Sequence, residues 1–513
     1  MSSIETGSKL QIIVQAGGRG SRLRHHTWNK PKCLVSVNGK PLLYHLFERF
    51  PTAEFTIIGD YAFEQLGKYL TMNPPEVPFK LIQASGHGTA SGIADALATI
   101  DSDLPLALVW SDLIIESSPK WPTTDQPVVY TTNTFTCRWT ANEHGTLQEL
   151  PSAANGIPGL FYFPAASMLP TPPSSGEFVK WFAANVTRYE LASISEIKEL
   201  GDFADLEIAN DAAGYSRFFN EVKILDTTVT KRAIDPNYEN LIQKEKNWYR
   251  AASELGFKRV PKVISEEPFV LERVKGQHLY QINDLSLREQ RSVMADYLDS
   301  LTALHDSDSS PTIKSQIIEV YESKTLSRVH SVSSIIPGFD RESITINGKK
   351  CKNVFAAKYQ GNIASLIPTL MPQTFTPIHG DATFSNTLVD DKLRVWFIDP
   401  RGYFSEPGIM GDPWYDFAKV YYSAVGGYDA FNRRKFKLHL DHETVEVLLE
   451  EPRYANTAKE VFSEYFGADV AKIEILHGLI WLALSGYAKD DIDSVIGSFY
   501  LGLYWLENGT SKL

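Results

Sequence analysis

Apolar and polar positions fall into two regimes along the chain. Residues 10–14, 55–59 and 104–110 are short apolar runs, each ending in glycine or a polar residue, as strands buried on both faces do. Between them, residues 42–50 and 90–100 repeat apolar positions at helical spacing. The order strand, helix, strand, helix, strand predicts an α/β domain whose parallel sheet is covered on both faces. Ligands of such sheets sit beyond the carboxyl ends of the strands, where Gly17 and Asp112 fall. Two breaker-rich stretches, 117–127 and 164–176, read as surface loops. From about residue 218 the pattern changes. Residues 219–226 and 228–233 read as two tightly joined strands, 241–255 as a helix, and the region around Pro261 with 269–274 as a further strand pair. Most of the remainder reads as amphipathic helix. The predicted organisation is two domains, 1–217 and 218–513, the second with a small strand-rich lobe over about 218–280 and a helical lobe over 281–513.

Length agrees, since 513 residues exceed one ordinary core. A hydrophobic fraction of 43% and a charged fraction of 22% are those of a folded globular chain rather than a disordered or fibrous one. Three widely spaced cysteines give neither a disulfide framework nor a zinc spacing. The polar residues 1–9 lack the basic and apolar regions of a signal peptide, so a cytoplasmic location is the expectation. The longest apolar runs, such as 479–484, fall well short of the roughly 20 residues that span a bilayer, so no membrane span is expected. The net charge of −12 argues against non-specific nucleic-acid binding and leaves small molecules as the expected partners. Against that background Arg19, Arg22, Arg24, Lys30 and Lys32 stand within fourteen residues free of any acid, a place that draws anions.

The glycines at 17, 18 and 20 let backbone approach a triphosphate closely, and Arg22 and Lys32 can offset charge that develops as pyrophosphate departs. Asp112, just past an apolar strand, is placed as a magnesium ligand. The run Gly17-Gly18-Arg19-Gly20-Ser21-Arg22-Leu23, then Thr27 and Pro31-Lys32, resembles the signature of the sugar-phosphate and phosphocholine nucleotidyltransferases, whose fold is the glycosyltransferase-A-like (Rossmann-like) α/β fold. Gly88-Thr89-Ala90 resembles that family's loop beside the nucleotide base, and Ser111-Asp112 its metal aspartate. By this resemblance Gly17, Gly18, Gly20, Gly88 and Thr89 bind nucleotide, Arg22 and Lys32 are catalytic, and Asp112 binds Mg²⁺. Asp205 stands roughly where the family has a second metal aspartate, and is either that ligand or a solvated surface acid. Leu150-Pro151-Ser152 replaces the Glu-Lys-Pro segment that many members use to hold a sugar phosphate. Arg19, Arg24, His25 and His26 read as cations shaping the local field, and Cys33 as packing.

The downstream run His379-Gly380-Asp381-Ala382-Thr383-Phe384-Ser385-Asn386 supplies an acid and, five residues on, an amide; a further apolar strand presents Asp399. This resembles the catalytic loop and metal aspartate of the aminoglycoside phosphotransferases and choline kinases, which share the two-lobed α+β protein-kinase-like fold. The resemblance implies Asp381 as catalytic base, Asn386 and Asp399 as Mg²⁺ ligands, Lys231 and Glu245 as the phosphate-binding ion pair, and the segment from Glu272 to Val274 as the hinge holding adenine. Asp412 and Asp416 are expected to brace the catalytic loop, and Trp414, Tyr415 and Tyr421 to be core or pocket aromatics. No glycine-rich phosphate loop occurs between 220 and 230, and Asp399-Pro400-Arg401-Gly402 departs from the residues that follow the metal aspartate in choline kinases, which argues against choline.

Together these imply a bifunctional enzyme. Its kinase would phosphorylate a small alcohol (a polyol, amino alcohol or sugar) with ATP, and its transferase would couple CTP, or UTP, to the product, giving an activated precursor for a surface glycan, capsule or lipid. An anomeric sugar kinase joined to a sugar-1-phosphate uridylyltransferase is the alternative, separable by the product nucleotide. A non-catalytic nucleotide-binding regulator fits less well, because every acid and cation that the two chemistries need is present.

Overall fold

The short apolar runs become buried strands because neither of their faces can be left in water. In the computed structural model, which describes residues 9–119, 121–212, 220–359 and 361–513, Ile12, Ile13 and Val14 are fully enclosed. The chain divides into two units, 1–212 with 490–492, and 213–489 with 493–513. The expected boundary at 217/218 lies outside the described residues.

The first unit is built on a seven-stranded sheet: β1 (Gln11–Gln15), β2 (Glu54–Gly59), β3 (Phe79–Gln83), β4 (Leu106–Trp110), β5 (Val128–Thr131), β6 (Leu160–Phe163) and β7 (Glu190–Ser193), in the order β7-β5-β6-β4-β1-β2-β3. Strand β1 is central and parallel to both neighbours, with Val14 opposite Ile57 and Val109. Helices Leu42–Arg49 and Thr89–Leu97 form where apolar spacing predicts them. The sheet is not wholly parallel: β6 runs antiparallel to β4 and β5. A parallel neighbour needs a crossover of a dozen or more residues, usually helical, and the chain from β5 to β6 holds no α-helix, only the short strands Thr140–Ala141 and Leu147–Gln148. The unit Phe63–Met72 with β3 is an addition to the expected order; β3 is a half-exposed edge strand with a weak apolar signal. Ile13, Ile58, Ile93, Leu108, Phe161 and Phe182 meet in one core.

The second unit opens with four antiparallel strands, β8 (Asn220–Ile224), β9 (Thr228–Ala233), β10 (Val263–Ser265) and β11 (Phe269–Glu272), in the order β8-β9-β11-β10. Helix Glu239–Glu254 lays Trp248, Tyr249 and Ala252 on Phe269 and Leu271. The larger lobe is helical, but it also holds an unexpected four-stranded sheet of Ser343–Ile346, Lys349–Lys352, Phe436–Leu440 and Thr444–Leu449. Its first hairpin turns at Asn347 (φ 46°) and Gly348 (φ 79°), left-handed positions that this residue pair favours. Both fold classes expected from the sequence are present: a Rossmann-like α/β unit and a two-lobed kinase-like unit. Among the described residues no helix is long and apolar enough to cross a membrane.

Candidate active sites

In the first unit the chain leaves β1 at Gln15 and turns through the glycines at the carboxyl edge of the sheet. A Cβ at position 17 would lie 2.8 Å from that of Asp60, so only glycine lets the turn pass the end of β2. Position 18 opens to solvent. Gly20 has φ 68°, and a Cβ there would come within 2.9 Å of the Lys32 side chain. Lys32 is thereby guided along the loop, and its backbone N–H donates to the Gly18 carbonyl at 3.2 Å. The buried Lys32 Nζ reaches Asp112 Oδ2 at 2.5 Å.

Beside this pair stands an acid that the sequence reading did not select. Glu199 ends the strand Ile197–Glu199, which pairs with Leu113–Ile115 in a register placing Glu199 opposite Leu113, and the Leu200 N–H donates to the Asp112 carbonyl at 3.0 Å. Arg22, largely exposed, meets Glu199 at 3.4 Å. Burial pushes the Glu199 carboxyl up, and the neighbouring Asp112 charge pushes it further. Two carboxylates crowded in this way suit Mg²⁺, which is bound by one or two carboxylates alongside substrate phosphates and water. Asp205 is exposed in the first turn of helix Phe203–Ala212, its N–H donating to Asp202. The signal that could have found Glu199 was its place at the end of an alternating strand just before Gly201. A Cβ at position 201 would lie 2.6 Å from the Glu199 carboxylate and 3.1 Å from Arg22.

Gly88 (φ 85°) lies against Gly176, whose carbonyl oxygen a Cβ at 88 would approach to 2.3 Å. The Thr89 hydroxyl accepts from the Phe178 N–H at 2.8 Å, and its carbonyl accepts from Gln15 at 2.7 Å. The loop 164–176, expected only as a surface loop, braces the Gly88–Thr89 turn through Gly176, whose N–H donates to the His87 carbonyl at 2.9 Å and whose carbonyl accepts from the Ala90 N–H at 3.0 Å. Arg24, expected to act only through the field, stacks over Phe203 at 4.7 Å with φ 54°. Cys33 is buried and its thiol is pushed up to about 12 by that burial, as a packing role requires.

In the second unit the buried Lys231 Nζ binds Glu245 Oε1 at 2.5 Å and also pairs with Asp399. Two carboxylates raise its affinity for a proton despite burial. Asp399 has φ 56°, which turns its carboxylate back toward Lys231. Asp381 is shared between two neighbours: its Oδ2 accepts from Asn386 at 2.8 Å, and its Oδ1 meets Lys419 at 3.0 Å. The loop is held from beneath by Asp416, which accepts from the backbone N–H groups of His379 and Gly380, each at 2.7 Å, and contacts His305 at 3.1 Å. Asp412 caps helix Pro413–Ala424 and accepts from Tyr321 at 2.7 Å; burial pushes its carboxyl up to about 6. Glu272 ends β11, and Val274 follows in a link that pairs at Gln277 with Val389. Of the three aromatics, Tyr415 accepts from Arg401 at 3.1 Å, Tyr421 is buried against Glu474, and Trp414 is half-buried against Phe417. Asp399 and Asn386 offer the hard oxygen donors that Mg²⁺ takes.

A mixed sheet with a glycine turn over alternating cations and carboxylates, and a two-lobed unit with a lysine–carboxylate pair facing an Asp–Asn loop, define two nucleotide-handling domains. Residues 12–115 match the family model described as MobA-like NTP transferase domain, and residues 208–445 that of the Phosphotransferase enzyme family. The chain thus joins an N-terminal NTP transferase domain to a C-terminal phosphotransferase-family domain. Among characterised proteins it is similar to the bifunctional protein GlmU of Methanocaldococcus jannaschii, 29% identical over 109 residues that cover 21% of this chain and 26% of that one. It is also similar to the UTP–glucose-1-phosphate uridylyltransferase AglF of Haloferax volcanii, 31% identical over 98 residues that cover 18% of this chain and 39% of that one. The chain therefore spans well under half the length of either relative. Among solved structures, the CTP:phosphocholine cytidylyltransferase of Streptococcus pneumoniae aligns over 38% of this chain and 96% of its own, at 15% identity and a TM-score of 0.32.

Proposed function

We propose that the protein is a bifunctional enzyme whose C-terminal domain phosphorylates the hydroxyl of a small acceptor with ATP, and whose N-terminal domain transfers CMP from CTP to the phosphate so made. The product is an activated precursor for a surface glycan, capsule or lipid. The observation that carries this reading is the second site: Lys231 held between Glu245 and Asp399, with Asp381 shared by Asn386 and Lys419.

In the kinase step the acceptor oxygen bonds to the γ-phosphorus as the bond from that phosphorus to the β–γ bridging oxygen breaks, and ADP leaves. Asp381 orients the hydroxyl and takes its proton. Lys231 holds the ATP phosphates, Glu245 holds Lys231, and the hinge from Glu272 to Val274 receives adenine. Asn386 and Asp399 would hold Mg²⁺, which would supply charge neutralisation on the phosphates.

In the transferase step an oxygen of the new phosphate attacks the α-phosphorus of CTP, the α–β bond breaks and pyrophosphate leaves. The open turn at Gly17, Gly18 and Gly20 lets backbone N–H groups approach the triphosphate, the Gly88–Thr89 turn lies beside the base, and Lys32 and Arg22 offset charge on the phosphoryl oxygens. Asp112, with Glu199 or Asp205 as the second carboxylate, would hold the cation, which would supply charge neutralisation at the α-phosphate. UTP in place of CTP is a second reading, favoured by the similarity to a protein named a uridylyltransferase.

The test is pyrophosphate release by the full-length protein given Mg²⁺, CTP or UTP, and a panel of polyols, amino alcohols, hydroxy acids and sugars. Release that requires both ATP and an acceptor is expected, with the nucleotide of the product separating the two readings. Absence of release with every acceptor, phosphorylated or not, would contradict the proposal.

A further inference from the structure

Around Asp381, on the side turned away from Asn386, the second unit gathers cations that phosphate transfer from ATP does not call for. Lys419 meets Asp381 Oδ1 at 3.0 Å. Arg401, two residues past Asp399, donates its own backbone N–H to the His379 carbonyl at 3.0 Å, and its guanidinium donates to the Tyr415 hydroxyl at 3.1 Å and lies 4.2 Å over the Tyr403 ring. Lys324 and Arg328 are four residues apart on one helix, so they share a face. That helix is re-aimed just before Lys324 by the π turn Glu319–Ser323, a device often found at functional sites. Arg328 donates to the Ala483 carbonyl at 3.3 Å and lies 5.6 Å over Tyr487. Among the described residues no carboxylate bridges Lys324, Arg328 or Arg401.

The charges nearest Lys324 are Arg401, Arg328 and Lys419, opposed by Asp381. Burial, followed by those three cations, pushes its ammonium down to about 6. Above about pH 6 this crowding leaves Lys324 without its proton; an anion brought among Arg401, Arg328 and Lys419 offsets their repulsion and restores that proton, whereas a cation adds to the repulsion and a neutral guest does neither. The two oxygens of Asp381 divide the site. Oδ2 accepts from Asn386, and Oδ1 meets Lys419, the nearest of these cations.

We infer that the acceptor of the kinase domain is an alcohol already bearing an anionic group, a carboxylate or a phosphate, which Arg401, Lys419, Lys324 and Arg328 hold while its hydroxyl meets Asp381. This rests on the kinase reading above and narrows its acceptor, removing amino alcohols such as ethanolamine and choline. The transferred phosphoryl goes from ATP to the acceptor hydroxyl, whose proton passes to Asp381, and the anionic group is left unchanged.

The test compares three-carbon acceptors that differ in charge, with the full-length protein, ATP and Mg²⁺: glycerol, glycerate and glycerol 3-phosphate, with ethanolamine and choline as cations. The inference expects kcat/KM for glycerate or glycerol 3-phosphate to exceed that for glycerol by 100-fold or more, and no turnover of the cations; which anion leads separates carboxylate from phosphate. Arg401→Gln and Lys324→Gln should raise acceptor KM at least tenfold with ATP KM unchanged, and Lys324→Arg should recover most of the loss. Glycerol or a cation turned over as well as the anions would overturn the inference while the kinase reading stands. If no acceptor is phosphorylated, the kinase reading falls, and stabilisation of the folded protein by glycerate or glycerol 3-phosphate decides the inference alone. Stabilisation lost in Arg401→Gln supports it, and no stabilisation by either anion overturns it.

Discussion

Lys324 gives the second site a measurable pH signature. Its folded affinity for protons falls from the usual lysine value to about 6, under burial and the charges of Arg401, Arg328 and Lys419, with Asp381 acting the other way. Between about pH 6 and 10.5 the unfolded chain therefore holds a proton at this residue that the folded protein does not. Stability rises with pH wherever the unfolded state binds more protons, so the depressed lysine adds a rising slope across that window. Lys324→Met should remove that part of the slope, measured as the difference in unfolding free energy between the two proteins from pH 6 to 10. An identical slope in both would show that Lys324 keeps its proton. At the first site, Arg22→Ala and Asp112→Ala should each slow nucleotidyl transfer by about 10²-fold or more, the order lost with one stabiliser of a developing oxyanion. Glu199→Gln should slow it as well if it shares the cation with Asp112, and only Asp205→Asn should do so if Asp205 is the second ligand. Arg24→Ala should lower stability by about 0.5–1 kcal/mol through loss of its Phe203 stack, with nucleotidyl transfer little changed at any salt concentration.

Among the elements, helix Pro413–Ala424 does most to shape the kinase site. Asp412 caps it, Asp416 on its first turn holds the backbone of His379 and Gly380, and Lys419 one turn on meets Asp381. Asp416→Ala would leave two buried N–H groups without their acceptor, a loss of about 2–6 kcal/mol at 1–3 kcal/mol each. Chemical denaturation should register it along with loss of kinase turnover. A loss below about 1 kcal/mol would mean that the loop is held by other contacts. Much of this level was legible in the sequence. Apolar runs ending in glycine or a polar residue gave the strands β1, β2 and β4, and the tight junction of β8 and β9 stood where expected. The edge strand β3 was missed because one-sided exposure leaves it few apolar residues, and β6 was not seen to be antiparallel because direction is set by the connection and not by the strand. The hairpin at Asn347-Gly348 carried its turn signal openly, but its strands, Ser-Ile-Thr-Ile and Lys-Lys-Cys-Lys, are only four residues each and were absorbed into a helical reading. The pairing of Glu199 with the Asp112 site and the cation cluster were not legible in advance, since both arise from contacts between segments far apart in sequence, such as 112 with 199 or 324 with 401.

At the scale of the molecule, two separate nucleotide sites in one chain make two half-reactions that can be blocked one at a time. Asp381 lies in one unit and Lys32, Asp112 and Arg22 in the other, so loss of one chemistry should spare the other. In the proposed sequence the phosphate made in the second site is the group consumed in the first, and that shared intermediate is the central claim. The most direct measurement is pyrophosphate release by folded Asp381→Asn protein, supplied with CTP, Mg²⁺ and either ATP plus the free acceptor or the acceptor already phosphorylated. The account predicts no release in the first mixture and release at the unmodified protein's rate in the second; no release in either, from protein shown to be folded, would contradict it.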